Sequence, residues 1–466
     1  MTVLDSRYDT QIHTDVDSDP EFASALPAGV SGAKALLGDV TSVPSAPAGV
    51  AAPTMAGVED IGAGHGPSWL DAWLAEHGSD VLRWRRHLHA HPELSLQEYG
   101  TTAYLSEQLT AAGLRPRVLP GGTGLICDVG SGPGCVALRG DIDALPLTES
   151  TGALYASTVP GVTHACGHDA HATVLLGTAL ALAAAPSLPG RVRLLFQPAE
   201  EVMRGALDVI AAGGLDGVDR VFGLHCDPRL EVGRVGTRVG PITSASDLME
   251  IRFTSPGGHT SRPHLTGDLV HAMGTVITGL PTLLSRRVDP RSSTVLVWGA
   301  VHAGEAPNAI PQDGVLRGTL RTGDRETWAK LEPLIKELVA ALLAPTGVSY
   351  ELWHQRGVPP LVNEPASTAL IQAGVTAALG ENAVVDTEQS SGGEDFGWYL
   401  EQVPGAFARL GVWSGTGRQR DLHQPSFDLD ERALLTGIRV LTHTALASLT
   451  AEAGGAGAAE VGTAPA

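Results

Sequence analysis

Cysteine is scarce, with 4 in 466 residues. Cys127, Cys135, Cys166 and Cys226 are scattered and form no dense framework. This excludes a disulfide-stapled scaffold and favours free thiols in a reducing compartment, where any one of them is by default a buried small hydrophobe. Positive charge is also short: 31 Lys and Arg stand against 51 Asp and Glu, a net charge of -20. Binding of nucleic acid or of an anionic membrane by bulk electrostatics needs a basic surface, so both are excluded and small molecules are the expected partners. No apolar run is long enough to span a bilayer; the longest, "ATVLLGTALALAAAP", reads as a buried helix beside a histidine-rich motif. The opening "MTVLDSRYDTQIHTDVDSDP" has no basic start, apolar segment or twin-arginine pair, so no export signal is expected and the cytoplasm is the expected location.

What is present starts with length: 466 residues, 43% hydrophobic, exceed one ordinary core and point to two domains. Residues 1–66 are rich in Ala, Gly, Pro, Ser and Asp with almost no aromatics, a composition that buries too little surface to offset the entropy of ordering, so a disordered extension is expected. Residues 453–466 read as a similar tail. From Trp69 onward, helical spacing in "SWLDAWLAEHGSDVLRWRRHLHAHPEL" alternates with strand-like "GCVALRGDIDAL", "RVRLLFQPAEE" and "VDRVFGLHCDP", the pattern of an α/β domain with a parallel sheet over 67–243 and 356–452. The polar residues that end those runs fall where ligands bind in open α/β sheets, beyond the carboxyl ends of the strands. Between 244 and 355 the character changes to antiparallel strands ("DLMEIRFTSPGGHTS", "SSTVLVWGAVHAG", "DGVLRGTLRT") and two helices, an α+β module inserted into the first domain.

The densest chemistry is "THACGHDAH", Thr163–His171. Cys166 and His168 are two apart, so an extended turn presents both on one side just before a helix starting near Asp169. A thiolate and an imidazole suit a borderline-soft divalent metal such as Zn. A Cys-x-His pair alone is more often structural, and Glu200 and Glu201 change that balance. Adjacent carboxylates are poor core residues unless a cation or a proton lies between them, and successive side chains point apart, so one can bind metal while the other takes a proton. A solvated acidic loop would explain the pair but not His225 and Asp227 at the next strand end. His423 in "DLHQPSF" would add a further imidazole.

These residues bring out a resemblance. "RRHLHAHPELSLQE", "ALRGDIDALP", "THACGHDAHATVLLG", "FQPAEEVMRGA", "LHCDP", "PGGHTSRPH", "APNAIP", "GTLRT", "GGEDFGWY" and "LHQPSFD" resemble, in order over about Trp84 to Asp428, the M20 family of metallopeptidases and amidohydrolases, in its branch of N-acyl-amino-acid, hippurate and indole-acetyl-amino-acid hydrolases. The resemblance implies an α/β catalytic domain, a mixed sheet flanked by helices, that holds two divalent ions (Zn, Mn, Co or Ni), and an inserted α+β lid that also forms a homodimer. It implies Cys166 as the ligand bridging the metals, His168, Glu201, His225 and His423 as the remaining ligands, Glu200 as general base and Asp143 as the aspartate that orients the site. Asp141, where other branches carry a metal-binding histidine, is not counted as a ligand. His259 of the lid would steady the oxyanion, often from the partner subunit. Asn308, Arg321, Gly392 and Gly393 would hold the substrate carboxylate. His87, His89 and His91 are assigned to structure around the site. Gly140, where Ala is usual, and Cys226, an extra thiol beside His225, depart from the family pattern without removing a ligand.

The implied reaction is metal-assisted hydrolysis of an N-acyl amino acid. One rival makes Cys166 a covalent nucleophile, which leaves Glu200, Glu201, His225 and His423 without a task. Another is a non-catalytic receptor for acyl-amino acids on the same fold, for which Glu200 would be superfluous; a structural scaffold explains none of the set.

Overall fold

A computed structural model describes residues 62–460, with side chains through 452. Residues 1–61 of the expected extension and 461–466 of the expected tail lie outside the described residues. The chain enters through α1 (Ser68–Ala90), α2 (Tyr99–Ala111), β1 (Arg117–Val118), β2 (Leu125–Gly130), β3 (Cys135–Asp141), α3 (His168–Ala183), β4 (Arg191–Gln197), α4 (Gly205–Ala211), β5 (Arg220–Glu231) and β6 (Val235–Thr237). A middle stretch supplies β7 (Gly240–Pro241), β8 (Ala245–Thr254), β9 (Gly258–His259), α5 (Leu269–Arg287), β10 (Val295–Ala303), β11 (Ala309–Ile310), β12 (Asp313–Thr322), α6 (Arg325–Leu343), β13 (Ser349–Val358) and β14 (Val362–Asn363). The chain then adds α7 (Pro365–Leu379), β15 (Val384–Asp386), α8 (Gly397–Leu400), β16 (Gly405–Trp413) and α9 (Arg432–Glu460). Helix α9 continues past 453, where the sequence reading starts the tail.

The first sheet has eight strands in the order β1-β2-β4-β3-β5-β16-β6-β15. Its centre, β4-β3-β5-β16, is parallel, as the alternating pattern predicts. The flanks make it mixed, because β2 joins β4, and β6 joins β16, antiparallel. One face packs on α1, α3, α7 and α9; the other carries α4 and α8 over Leu195, Val221, Phe396, Tyr399 and Phe407. Central strands covered on both faces read as near-continuous apolar runs, as "CVALRGD" and "VRLLFQ" do. Helix α3 is apolar on every side because it lies between sheet and helices, with only two of its sixteen residues outside the buried set. A Cβ on Gly177 would meet Ile438 Cδ1 at 2.4 Å, so this glycine permits the close crossing of α3 and α9.

The middle stretch forms a four-stranded antiparallel sheet, β10-β12-β8-β13, whose apolar face carries α5 and α6 around Ile251, Phe253, Leu316, Ile335 and Leu338. Sequence reading missed β13, whose alternation in "SYELWHQRGV" is mostly half-exposed and which runs through residue 355 to Val358. It also ended β5 after Asp227; the strand continues to Glu231, where it pairs with Trp413 beyond a register shift in β16. The two halves meet where Trp398 of α8 packs on Trp328 of α6 at 6.2 Å and Arg325 donates to Glu401 at 2.7 Å.

Helix α1 is fastened to the main core by charge. Arg85 is fully buried and donates to Asp169 at 2.8 Å and Asp428 at 2.9 Å, and His89 lies 2.8 Å from Asp169 and 3.3 Å from Glu149. Burial opposes charge on His89, but Asp169 and Glu149 outweigh it and push its pKa up to about 9 from 6.5. Burial would raise Glu149, but His89 and the Ser157 N–H bring it down to about 2 from 4.5. The His89 contribution to stability is therefore complete below pH 6.5 and lost as pH rises through 9; that of Glu149 is present above pH 4.5 and lost as pH falls through 2. Melting temperature should fall from pH 6.5 to 9 in the wild type, and His89→Gln should flatten that limb; an unaltered limb in the variant would contradict this anchoring.

Candidate metal centre and active site

Cys166 and His168 are joined by Gly167, whose φ of 84° is left-handed and caps the start of α3. This tight glycine turn replaces the extended turn expected from sequence. A Cβ there would lie 2.9 Å from Cys226 Sγ, so the residue must be glycine for packing as well as for conformation. Glu200 and Glu201 follow β4, His225 comes from β5, and the His423 loop is strapped on by its N–H to the Ala165 carbonyl at 2.8 Å. Backbone strain collects here. Ala199, Met203 and His423 are three of the five described non-glycine residues with positive φ, at 54°, 58° and 58°.

Cys166 belongs to two donor groups at once, one with His168 and His225, the other with Glu201 and His423. Cys166 Sγ lies 3.5 Å from His225 Nε2; Glu201 Oε1 lies 3.8 Å from His168 Nε2 and 3.5 Å from His423 Nε2. Ligands at ordinary Zn distances in tetrahedral geometry are separated by about 3.3–3.8 Å, so these spacings suit a shared cation. The orienting bonds agree. Asp143 accepts from His168 Nδ1 at 3.2 Å, from Ser95 Oγ at 2.7 Å and from the Glu201 N–H at 3.0 Å, and His225 Nδ1 donates to the Cys226 carbonyl at 2.8 Å. Both imidazoles thereby turn Nε2 toward the cluster. His168 Nε2 and Glu201 Oε1 are buried without a hydrogen-bond partner, which fits atoms that would ligate a cation. The donor set of thiol, imidazole and carboxylate fits divalent transition ions.

Electrostatics explain why a cation is wanted. Burial, with Glu201 and Glu200 nearby, pushes the Cys166 thiol well up. Burial pushes Glu200 well up too, helped by Glu394, Asp395 and Glu201, and raises Glu201. For His168 burial is outweighed by Asp141 and Asp143, which push it up to about 10. His225 is held well below the usual range by burial, His171 and Arg409, so it offers a neutral lone pair. A cation held by Cys166, His168 and Glu201 would offset this clustered negative charge and favour the deprotonated donors.

Asp141 lies 2.6 Å from both Arg139 Nη1 and His171 Nδ1 and 3.6 Å from His168 Nε2, so it forms a further donor group with the two histidines. Sequence reading missed the support behind Glu200: Arg139, 1% exposed, donates to Asp141, Glu394, Asp395 and Gln197. The signal was present in "RGDID" and "GGEDF", where only the glycines of the latter were singled out. The three histidines of "HLHAHPE" are structural: His89 anchors α1, His87 stacks on Tyr104 at 4.0 Å, and His91 bonds to the His87 carbonyl.

Expected substrate residues fall into two further groups. His259 and Asn308 sit together on the exposed β9–β11 ribbon, where Thr260 N–H donates to the Asn308 carbonyl at 3.2 Å. No hydrogen bond or ion pair among the described residues joins them to the Cys166 cluster. Arg321 Nη1 donates to the Ser391 carbonyl at 2.7 Å, which puts it beside Gly392 and Gly393, but the Gly392 N–H already donates to Ser390 Oγ and α8 starts only at Gly397. This group borders the centre, since an added Cβ on Gly393 would meet Met203 Cε at 3.2 Å.

Paired donor groups at the strand ends of a mixed α/β sheet, with a buried glutamic acid beside them, define a metal-dependent hydrolase acting on amide bonds. The chain belongs to peptidase family M20/M25/M40, whose pattern matches residues 137–447. It is 41% identical over 359 residues to N-acetyl-L-cysteine deacetylase of Bacillus subtilis (strain 168), covering 75% of this chain and 84% of that one. It is 34% identical over 364 residues to the IAA-amino acid hydrolase ILR1-like 2 of Arabidopsis thaliana, covering 77% and 83%. A Rhodococcus jostii (strain RHA1) protein bearing a glutamate–cysteine ligase name is 57% identical over 363 residues, but the match spans only 46% of its length, against 78% of this chain. The fold matches the crystal structure of the Bacillus subtilis YXEP protein, described as a dinuclear metal binding peptidase of the M20 family, with a TM-score of 0.71 and 33% identity over 81% of this chain and 99% of that one.

Mn or Zn added to chelator-stripped protein should raise its melting temperature, because an ion that binds only the folded state stabilises it. The rise should be reduced in Cys166→Ala. Equal rises in both proteins would remove Cys166 from the metal centre.

Proposed function

We propose that the protein hydrolyses the amide bond of N-acyl amino acids, with acetyl or aryl-acyl groups such as that of hippurate, releasing a carboxylic acid and a free amino acid. The observation that carries this reading is Cys166 shared between two donor groups with Glu200, buried, 4.0 Å from His168 Nε2. The named activities of the B. subtilis and Arabidopsis relatives support the substrate class.

Cys166, His168, Glu201, His225 and His423 would hold two divalent ions, Cys166 between them. Bound there, the ions supply Lewis acidity that polarises the amide carbonyl and makes water nucleophilic at neutral pH. Glu200 takes the proton of the attacking water and hands it to the leaving amine. Its buried place beside the candidate metal ligands, 4.0 Å from His168 Nε2, suits a group that passes a proton between two steps. Asp143 keeps His168 oriented. His259 steadies the oxyanion, while Asn308, Arg321, Gly392 and Gly393 grip the carboxylate. Because His259 lies on an exposed ribbon, it reaches the centre by lid closure or from the second copy of a homodimer joined through the lid.

A cysteine nucleophile at Cys166 would leave Glu200, Glu201, His225 and His423 without a task. A pure receptor would have no use for Glu200. No helix among the described residues is long and apolar enough to cross a membrane, and the four free cysteines suit a reducing cytoplasm.

Glu200→Gln should lower kcat on N-acyl amino acids by about 10²–10⁴-fold with metal content unchanged. Full turnover in that variant would refute the assigned base. His259→Ala should lower kcat by about 10²–10³-fold with a smaller change in KM; wild-type kcat would exclude an oxyanion role.

A further inference from the structure

Five described arginines expose less than a tenth of their surface: Arg85, Arg139, Arg193, Arg439 and Arg409. The first four meet carboxylates, Arg85 at Asp169 and Asp428, Arg139 at Asp141, Glu394 and Asp395, Arg193 at Asp128, and Arg439 at Asp71. Arg409, 8% exposed, differs: its guanidinium has no hydrogen bond or ion pair among the described residues.

Its place in the sheet says where it points. Arg409 of β16 is in register with His225 of parallel β5 on one side and with Gly236 of β6 on the other. Partners in register share a face, so the guanidinium rises from the face that carries the His225 imidazole. Phe407, two residues earlier on the same face, has its ring 6.3 Å from that imidazole and 5.8 Å from the Arg409 guanidinium carbon. Neither nearby carboxylate pairs with it: Asp227 is forked by Arg229 at 2.9 and 3.0 Å, and Glu394 accepts with Oε1 from Arg139 and from the Phe396 N–H, each at 3.0 Å. A guanidinium stays charged at neutral pH, and its rigid fork matches a carboxylate. A buried guanidinium without an ion pair is completed by an anionic ligand.

We propose that Arg409 is a carboxylate-binding residue beside the Cys166 cluster, donating from the sheet face that carries His225 to a carboxylate of the bound substrate or product. This rests on the N-acyl amino acid reading for the ligand's identity. Arg321, by contrast, lies at the joint between the two sheets with one donor already on the Ser391 carbonyl. Two carboxylates qualify: the α-carboxylate of the amino-acid half, and the acyl carboxylate that hydrolysis releases.

The test is calorimetric titration of wild type and Arg409→Met, both also carrying Glu200→Gln and matched for metal content, with hippurate, its carboxamide N-benzoylglycinamide, and benzoate. If Arg409 holds the α-carboxylate, the variant loses at least about tenfold in hippurate affinity and nothing for the carboxamide. If it holds the acyl carboxylate, benzoate shows that loss. Equal weakening of all three ligands, as a merely structural role would give, or no weakening of any, overturns the proposal. Should Arg409→Met fail to fold, Arg409→Lys keeps the charge without the fork and should weaken the same carboxylate ligand severalfold while sparing the carboxamide; equal effects again overturn it. Benzoate binding needs no turnover, so a wild type that hydrolyses no N-acyl amino acid would refute the proposed reaction while leaving this result readable.

Discussion

The burial of several metal-binding donors in one small volume is the constraint on which the rest of the structure depends. Cys166, His168, Glu200 and Glu201 are withdrawn from water into one small volume, where charge is costly unless paired. The fold meets that cost in three ways. Asp143 and the Cys226 carbonyl tie down the outer nitrogens of the histidines. Arg139 neutralises the carboxylates behind Glu200, and removing one partner of such a buried set typically costs about 3–5 kcal/mol. The turns that deliver Glu200, Glu201 and His423 accept left-handed backbone that ordinary loops avoid.

The surrounding architecture turns this cluster into a machine with two parts. The parallel core of the first sheet delivers β3, β4, β5 and β16 with their carboxyl ends together, so residues far apart in sequence converge without long loops. The second sheet has its own core and meets the first at a small joint of Trp328, Trp398, Arg325 and Glu401. Helix α8 starts two residues after Asp395, which is bonded to Arg139, and carries Trp398 to the joint. Helix α8 thus runs between the carboxylates behind Glu200 and the contact with the second sheet.

Much of this was legible in the sequence because ligand chemistry is local. A Cys-x-His before an apolar helix, two glutamates after an apolar strand and a histidine on the next strand are each short patterns, and the structure brings Cys166, His168, Glu200, Glu201, His225 and His423 together. The parallel centre of the sheet was readable from alternation, whereas its antiparallel flanks depend on pairings between distant segments that no window of sequence carries. β13 was missed because its exposed alternation is weakly apolar. Arg139 and Arg409 were missed for a different reason: an arginine in a strand reads as a surface cation until the elements packed over that strand are known. Gly167 was passed over because a glycine's φ depends on the turn around it. His259 and Asn308 were singled out by motif, and the structure places them together on the exposed β9–β11 ribbon, with no hydrogen bond or ion pair among the described residues to the Cys166 cluster.

The central claim is that one thiolate joins two cations. X-ray absorption at the metal edge of the fully loaded protein measures it most directly. The account expects two ions per chain, each with one sulfur at about 2.3 Å together with nitrogen and oxygen donors, and the sulfur signal of both ions lost together in Cys166→Ser. A fully loaded centre with only nitrogen and oxygen around the metal, or one ion per chain, would contradict it.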